Sequence, residues 1–119
     1  MTPLAPHVTA FFQQRLPVER CASPHTSDSY AYAFKLLLEY ASERLHVAPS
    51  ALHLEQIDAS LVLAFLQHIE TERKNGPVTR NARLAAIKSF MRYIEYQVPS
   101  ALEQVRQIQV LTAARCRRR

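Results

Sequence analysis

The sequence predicts an all-α domain, a compact bundle of four to five helices. Three observations carry that prediction. Only one Gly occurs in 119 residues, and an all-β domain needs more for its turns. Apolar residues recur at helical spacing in five stretches, and none alternates as a strand does. Proline and capping residues punctuate the chain between those stretches. Hydrophobic content is 48% and charged content 21%, which supports one modest core and argues against a disordered polymer. The expected organisation is one helical domain over 1–113 and a basic, disordered tail over 114–119.

In the first stretch Leu4, Val8, Phe11, Phe12 and Leu16 share a face, and Pro17 disfavours continuation. Residues 17–25 read as a connector. The second helix is expected from about Ser27 to His46, with Thr26 or Ser27 as N-cap. Its stripe is Tyr30, Phe34, Leu37, Ala41 and Leu45. Pro49 follows, and 47–57 is a loop with a short turn near Ser50-Ala51-Leu52. Asp58 reads as the N-cap of a third helix over about 59–74, whose inner face is Leu61, Val62, Phe65, Leu66 and Ile69. Asn75-Gly76-Pro77 would end it, with Asn or Gly in the left-handed region. Thr79 reads as the cap of a fourth helix over about 80–97, with Leu84, Ile87, Met91, Ile94 and Val98 on one side. A last helix runs from Ala101 to about Ala113, with Leu102, Val105, Ile108 and Leu111 apolar. The five Phe are expected in the core.

Charge is distributed unevenly. The chain has 15 basic and 10 acidic residues. Arg115, Arg117, Arg118 and Arg119 supply four of the basic ones, and the remainder is nearly neutral at eleven against ten. Yet from Arg73 to Arg92 there are six Lys/Arg and no Asp or Glu. An amphipathic helix flanked only by positive charge suits a polyanion, and duplex DNA is the first partner to consider. Arg80, Asn81, Arg83, Lys88 and Arg92 are the candidates on the fourth helix. At about 100° per residue, Asn81, Lys88 and Arg92 share one flank, and Arg83 lies on the opposite border. Arg80 points near the core but, in the first turn, is expected to reach outward past the helix end. The basic side chains would neutralise phosphates. Asn81 would read an adenine edge or make a structural hydrogen bond. Thr26, Ser27 and Tyr30 offer a second contact, because free N–H groups at a helix start bind phosphate; capping and packing alone also explain them. His25 and Lys35 are lesser candidates on the same segment.

Other chemistry is disfavoured. A single Gly rules out a Gly-rich phosphate loop, and no cofactor is expected. The five His are scattered, and no Cys/His spacing fits zinc, so no metal is expected. Cys21 and Cys116 are too few for a disulfide scaffold. No apolar stretch approaches a membrane span, and no signal peptide is visible. A cytoplasmic location follows as the default.

The order of these signals resembles a known family. Ser23-Pro24-His25-Thr26-Ser27-Asp28-Ser29-Tyr30 is similar to a Ser/Thr-x-x-Thr-x-x-x-Tyr helix entry. Ile57-Asp58 through Val62, Phe65 and Leu66 is similar to an "Asp…Val-x-x-Phe-Leu" helix. Thr79-Arg80-Asn81-Ala82-Arg83-Leu84-Ala85-Ala86-Ile87-Lys88-Ser89-Phe90-Met91-Arg92-Tyr93 is similar to "Thr-x-Asn-x-Arg-Leu-x-Ala-Ile-[Arg/Lys]-x-Phe-[Phe/Met]-x-Tyr". Together, over about 5–112, they resemble the N-terminal core-binding, or SAM-like, domain of tyrosine recombinases of the phage integrase type.

That resemblance implies a bundle that clamps one side of a DNA duplex at a recombination site through its second and fourth helices. It also implies a bacterial, nucleoid-associated setting and other recombinase protomers as partners. Family members cut DNA with a separate domain carrying a His-x-x-Arg pair and a nucleophilic Tyr. None of His7, His25, His46, His53 or His68 is followed three residues on by Arg, so the chain is expected to bind without catalysing. The alternative is a helical interaction module that docks on intact recombinase through 102–111. The feature that discriminates is whether that helix buries its apolar stripe or leaves it exposed.

Overall fold

The structure, a computed structural model, describes residues 2–15, 24–72 and 76–111. Within them lie five α-helices and no strand: α1 (Ala5–Ala10), α2 (Pro24–Leu45), α3 (Ala59–Thr71), α4 (Pro77–Gln97) and α5 (Leu102–Gln109). A π-helical turn, Phe11–Arg15, continues α1. Short 3-10 turns occupy Pro49–Ala51, Leu54–Gln56 and Pro99–Ala101. The all-α expectation holds. Leu16, the 17–23 part of the connector, residues 73–75 and the basic tail lie outside the described residues.

Helix α4 is the centre of the bundle, touching α2, α3, α5 and the π-helical turn. It is buried on more than the expected stripe. Leu84, Ile87, Met91 and Ile94 face inward, and so do Ala86, Phe90 and Tyr93. A helix enclosed by neighbours on several sides needs a broad apolar arc. Four Phe rings close a circuit of edge-to-face contacts there: Phe11–Phe12 at 5.3 Å, Phe11–Phe90 at 5.5 Å, Phe34–Phe90 at 5.2 Å and Phe12–Phe34 at 5.6 Å. Each such pair contributes about 0.5–1.5 kcal/mol beyond area burial.

The third helix begins as its sequence requires. Asp58 is extended, and its Oδ1 accepts from the Leu61 amide at 2.9 Å. Leu61, Val62, Phe65, Leu66 and Ile69 are all buried. Its α-helical hydrogen bonding stops at Thr71, short of 74.

Two helix starts correct the sequence reading. α2 begins at Pro24 and α4 at Pro77. Thr26, Ser27 and Thr79 are therefore within first turns rather than at caps, and the cap of α4 is Gly76. Proline at the first helical position lacks only an N–H that would be orphaned anyway, so it opens these helices. Gly76 is extended, with φ −80° and ψ 178°, and not left-handed. The left-handed residue is His46, with φ 57°, just after α2. The Val47 amide returns to the Ser42 carbonyl at 3.2 Å, the six-to-one bond of a Schellman stop.

Polar clasps finish the bundle. Gln104 Nε2 donates to the carbonyls of Leu54 at 2.8 Å and Ile57 at 2.6 Å. The Leu4 amide donates to the Leu52 carbonyl at 3.1 Å, and the Leu54 amide to the Thr2 carbonyl at 2.7 Å. These bonds tie α5 and the amino-terminal segment to the loop before α3. α5 is shorter than expected, and Val105 and Ile108 are fully buried. Of the expected stripe, Val105 and Ile108 are packed inside, Leu111 is half-buried and Leu102 is exposed; Val110, off the stripe, is exposed too.

Candidate nucleic-acid interface

The first halves of α2 and α4 lie together. Phe34 meets Phe90 deep in the core, and nearer the surface the Arg83 guanidinium carbon sits 5.1 Å from the centroid of the Tyr32 ring. The two segments that the sequence marks as contact candidates are thereby adjacent.

The basic residues of α4 divide into different environments. Arg80 is 8% exposed. Its Nε is 3.2 Å from Glu70 Oε1 on α3, and its Nη1 donates to Asn81 Oδ1 at 3.4 Å. The expectation that it reaches outward past the helix end is corrected: a guanidinium on the inner face of α4 meets a carboxylate on the helix packed against it. This arginine holds α4 to α3.

Lys88 is half-buried, and its ammonium donates to the Leu111 carbonyl at 2.6 Å. In return Gln109 Nε2 donates to the Lys88 carbonyl at 2.9 Å. Lys88 therefore contributes charge to the surface while fastening α5. Arg92 is exposed and has no ion pair or hydrogen bond among the described residues. Asn81, Lys88 and Arg92 share a flank, as their spacing requires, and Arg83 stands about 160° around the helix from them. Two basic faces result, one toward α5 and one toward α2.

Arg83 is half-buried without a carboxylate partner among the described residues, and its Nε is enclosed without an acceptor. Thr79 is half-buried in the first turn. Tyr30 is half-buried against the core, alongside Phe34, which gives it a packing role. The backbones of His25, Thr26 and Ser27 belong to the first turn of α2, and their side chains lie outside the described residues. Lys35 is exposed on α2. The sequence reading missed Tyr32, which interrupts no apolar stripe and matches no motif position. Its signal would have been Arg83 alone, a cation on the border of a packed helix face.

Elsewhere the surface has different chemistry. A groove of about 220 Å³ between α2 and α3 is lined by Glu39, Tyr40, Glu43, His68 and their apolar neighbours. Arg44 Nη1 donates to the Tyr40 hydroxyl at 2.9 Å beside it. Two carboxylates make this groove unsuited to a polyanion. Among the described residues no cluster of His, Cys, Asp and Glu could hold a metal. No described helix is long and apolar enough to cross a membrane.

The all-helical fold, with basic residues on two faces of its central helix, is that of a small helical domain, and comparison with known proteins gives its class. The sequence profile described as "Phage integrase, N-terminal SAM-like domain" matches residues 10–97, and the chain belongs to that family. It is 42% identical over 112 residues to "Putative integrase/recombinase y4rC" of Sinorhizobium fredii, covering 94% of this chain and 34% of that protein. It is 44% identical over 98 residues to "Putative integrase/recombinase y4rD" of the same organism, covering 82% of this chain and 35% of that protein. The chain thus spans about a third of the length of the curated relatives it matches. No solved structure matches it.

Proposed function

We propose that this domain binds duplex DNA for a site-specific recombinase of the integrase type and catalyses no strand cleavage by itself. Family membership supports the recombinase setting. The observation that carries the DNA reading is the pair Arg83 and Arg92. Both cations lack a carboxylate partner among the described residues, and both lie on the central helix. A fold that neutralises Arg80 internally and leaves these two unneutralised presents charge for an external anion. Phosphate contacts set the docking. Arg83 supplies charge on the face toward α2, with Thr79 beside it, and Lys88 and Arg92 supply it on the flank toward α5, with Asn81 beside them; the start of α2 with Thr26 and Ser27 adds backbone donors. Any base reading, by Asn81, is secondary. Arg80 and Tyr30 act in packing. Within the cell the domain works in the cytoplasm at the nucleoid.

The rival role, docking on intact recombinase through 102–111, has less support because Val105 and Ile108 are already packed. Titrating a labelled duplex over a salt series tests the reading. Binding should weaken steeply with salt. Arg83→Ala and Arg92→Ala should each lower affinity and reduce the log–log salt slope by about 0.9 per lost phosphate contact, with helicity retained. Absence of binding at low salt would remove the proposal.

A further inference from the structure

We infer that Tyr32 is a positioning residue of this interface, its ring holding the Arg83 guanidinium in the attitude that meets a DNA phosphate. The inference rests on the DNA-binding reading above and goes beyond it, since Tyr32 carries no charge and matches no motif of the family. Three observations support it. The guanidinium lies 5.1 Å from the centroid of the Tyr32 ring, within the range of a cation–π contact. Arg83 Nε is enclosed without an acceptor among the described residues, so no hydrogen bond at that atom sets the attitude of the side chain. Finally, the cation has no carboxylate among the described residues, whereas Arg80, one turn earlier, has Glu70.

A guanidinium stays charged at all relevant pH values, and its donors lie in its plane. A guanidinium set over a ring makes no hydrogen bond to it, so its outward N–H groups stay able to bind two phosphate oxygens. Long side chains lose rotamer freedom when they bind, and a group already held loses less. Tyr32 sits on α2 and Arg83 on α4, so the stack also couples the two contacting helices. The other Arg–Tyr pair of the domain differs. Arg44 lies 6.0 Å from the Tyr40 ring and donates to its hydroxyl, beside the acidic groove.

The test is fluorescence anisotropy of a short mixed-sequence duplex with the full chain, over a salt series, with circular dichroism melts alongside. Tyr32→Phe keeps the ring and should bind as wild type. Tyr32→Leu should weaken binding about 3- to 10-fold, in line with a partly exposed cation–π contact. It should lower the salt slope toward that of Arg83→Ala, although net charge is unchanged. In the Arg83→Ala background the same substitution should have no further effect. Additive losses, or wild-type affinity for Tyr32→Leu beside a weakened Arg83→Ala, would overturn the inference and leave the DNA reading intact. Loss of helicity in Tyr32→Leu would shift the test to Arg83→Lys. That variant keeps the charge without the plane and should also bind less tightly; equal affinity would overturn the inference. If the wild type binds no duplex, the DNA reading itself fails, and that outcome is distinct from the others.

Discussion

The sharpest test of how α4 spends its charge is the pair Arg80–Glu70. Glu70→Gln removes the carboxylate opposite a guanidinium that is only 8% exposed. For a fully exposed pair the loss would be about 0–1 kcal/mol. For a fully buried one it would be about 3–5 kcal/mol, because the remaining charge is stranded. The Glu70 side chain is 38% exposed against 9% for that of Arg80, so solvent screens the anionic partner. The expected cost is therefore about 1–2 kcal/mol, or roughly 4–8 °C in Tm for a domain of this size. Arg80→Met keeps much of the buried stem and removes the charge. Combined with Glu70→Gln it should restore part of the loss, since the buried charge that Glu70 faces is then removed as well. Thermal melts by circular dichroism read the stability, and duplex anisotropy below the transition reads affinity, which should not change in either variant. An Arg80→Met protein with wild-type Tm and reduced affinity for DNA would refute the structural role assigned to Arg80.

Other outcomes follow from local geometry. His46→Gly removes the Cβ strain of a left-handed residue and should raise stability by about 0.5–1 kcal/mol in urea titration; a lowered midpoint would contradict the Schellman stop. Gln104→Ala takes the donor from the Ile57 carbonyl and one of two donors from the Leu54 carbonyl, which keeps the Ile57 amide, and should cost about 1–3 kcal/mol, with faster hydrogen exchange in α5 than elsewhere. The Thr2 backbone amide donates to Glu55 at 3.0 Å and holds its carboxyl below the usual range. The folded state therefore binds that proton less readily than the unfolded one. The contribution is present above the ordinary carboxylate pKa and disappears as pH falls through the lowered value. Acid titration of Glu55→Gln beside wild type should show that component missing from the variant.

Much of the fold was legible because its determinants are local. Asp58 caps α3 through its own side chain, and the α3 stripe is a matter of spacing. Pro77 was read as ending one helix and Pro24 as part of a connector because proline stops one helix and opens the next by the same chemistry, and only the neighbouring backbone decides which. His46 as the left-handed residue could not be foreseen, since a Schellman stop selects a conformation rather than a side chain. The basic face was legible as composition and not as geometry. Nothing near Arg80 in the chain points to Glu70, and nothing near Lys88 points to the Leu111 carbonyl. Long-range partners of this kind tie Arg80 into the packing of α3 on α4 and give Lys88 a fastening bond beside its surface charge. They also left Tyr32, two residues past a motif position, as the neighbour of Arg83.

The reciprocal bonds between Lys88 and α5 have a mechanical consequence. One joins a side chain of α4 to the Leu111 carbonyl, and the other joins a side chain of α5 to the Lys88 carbonyl. Both links meet α4 at Lys88, one turn before Arg92, so the end of α5 is anchored beside the basic flank of α4.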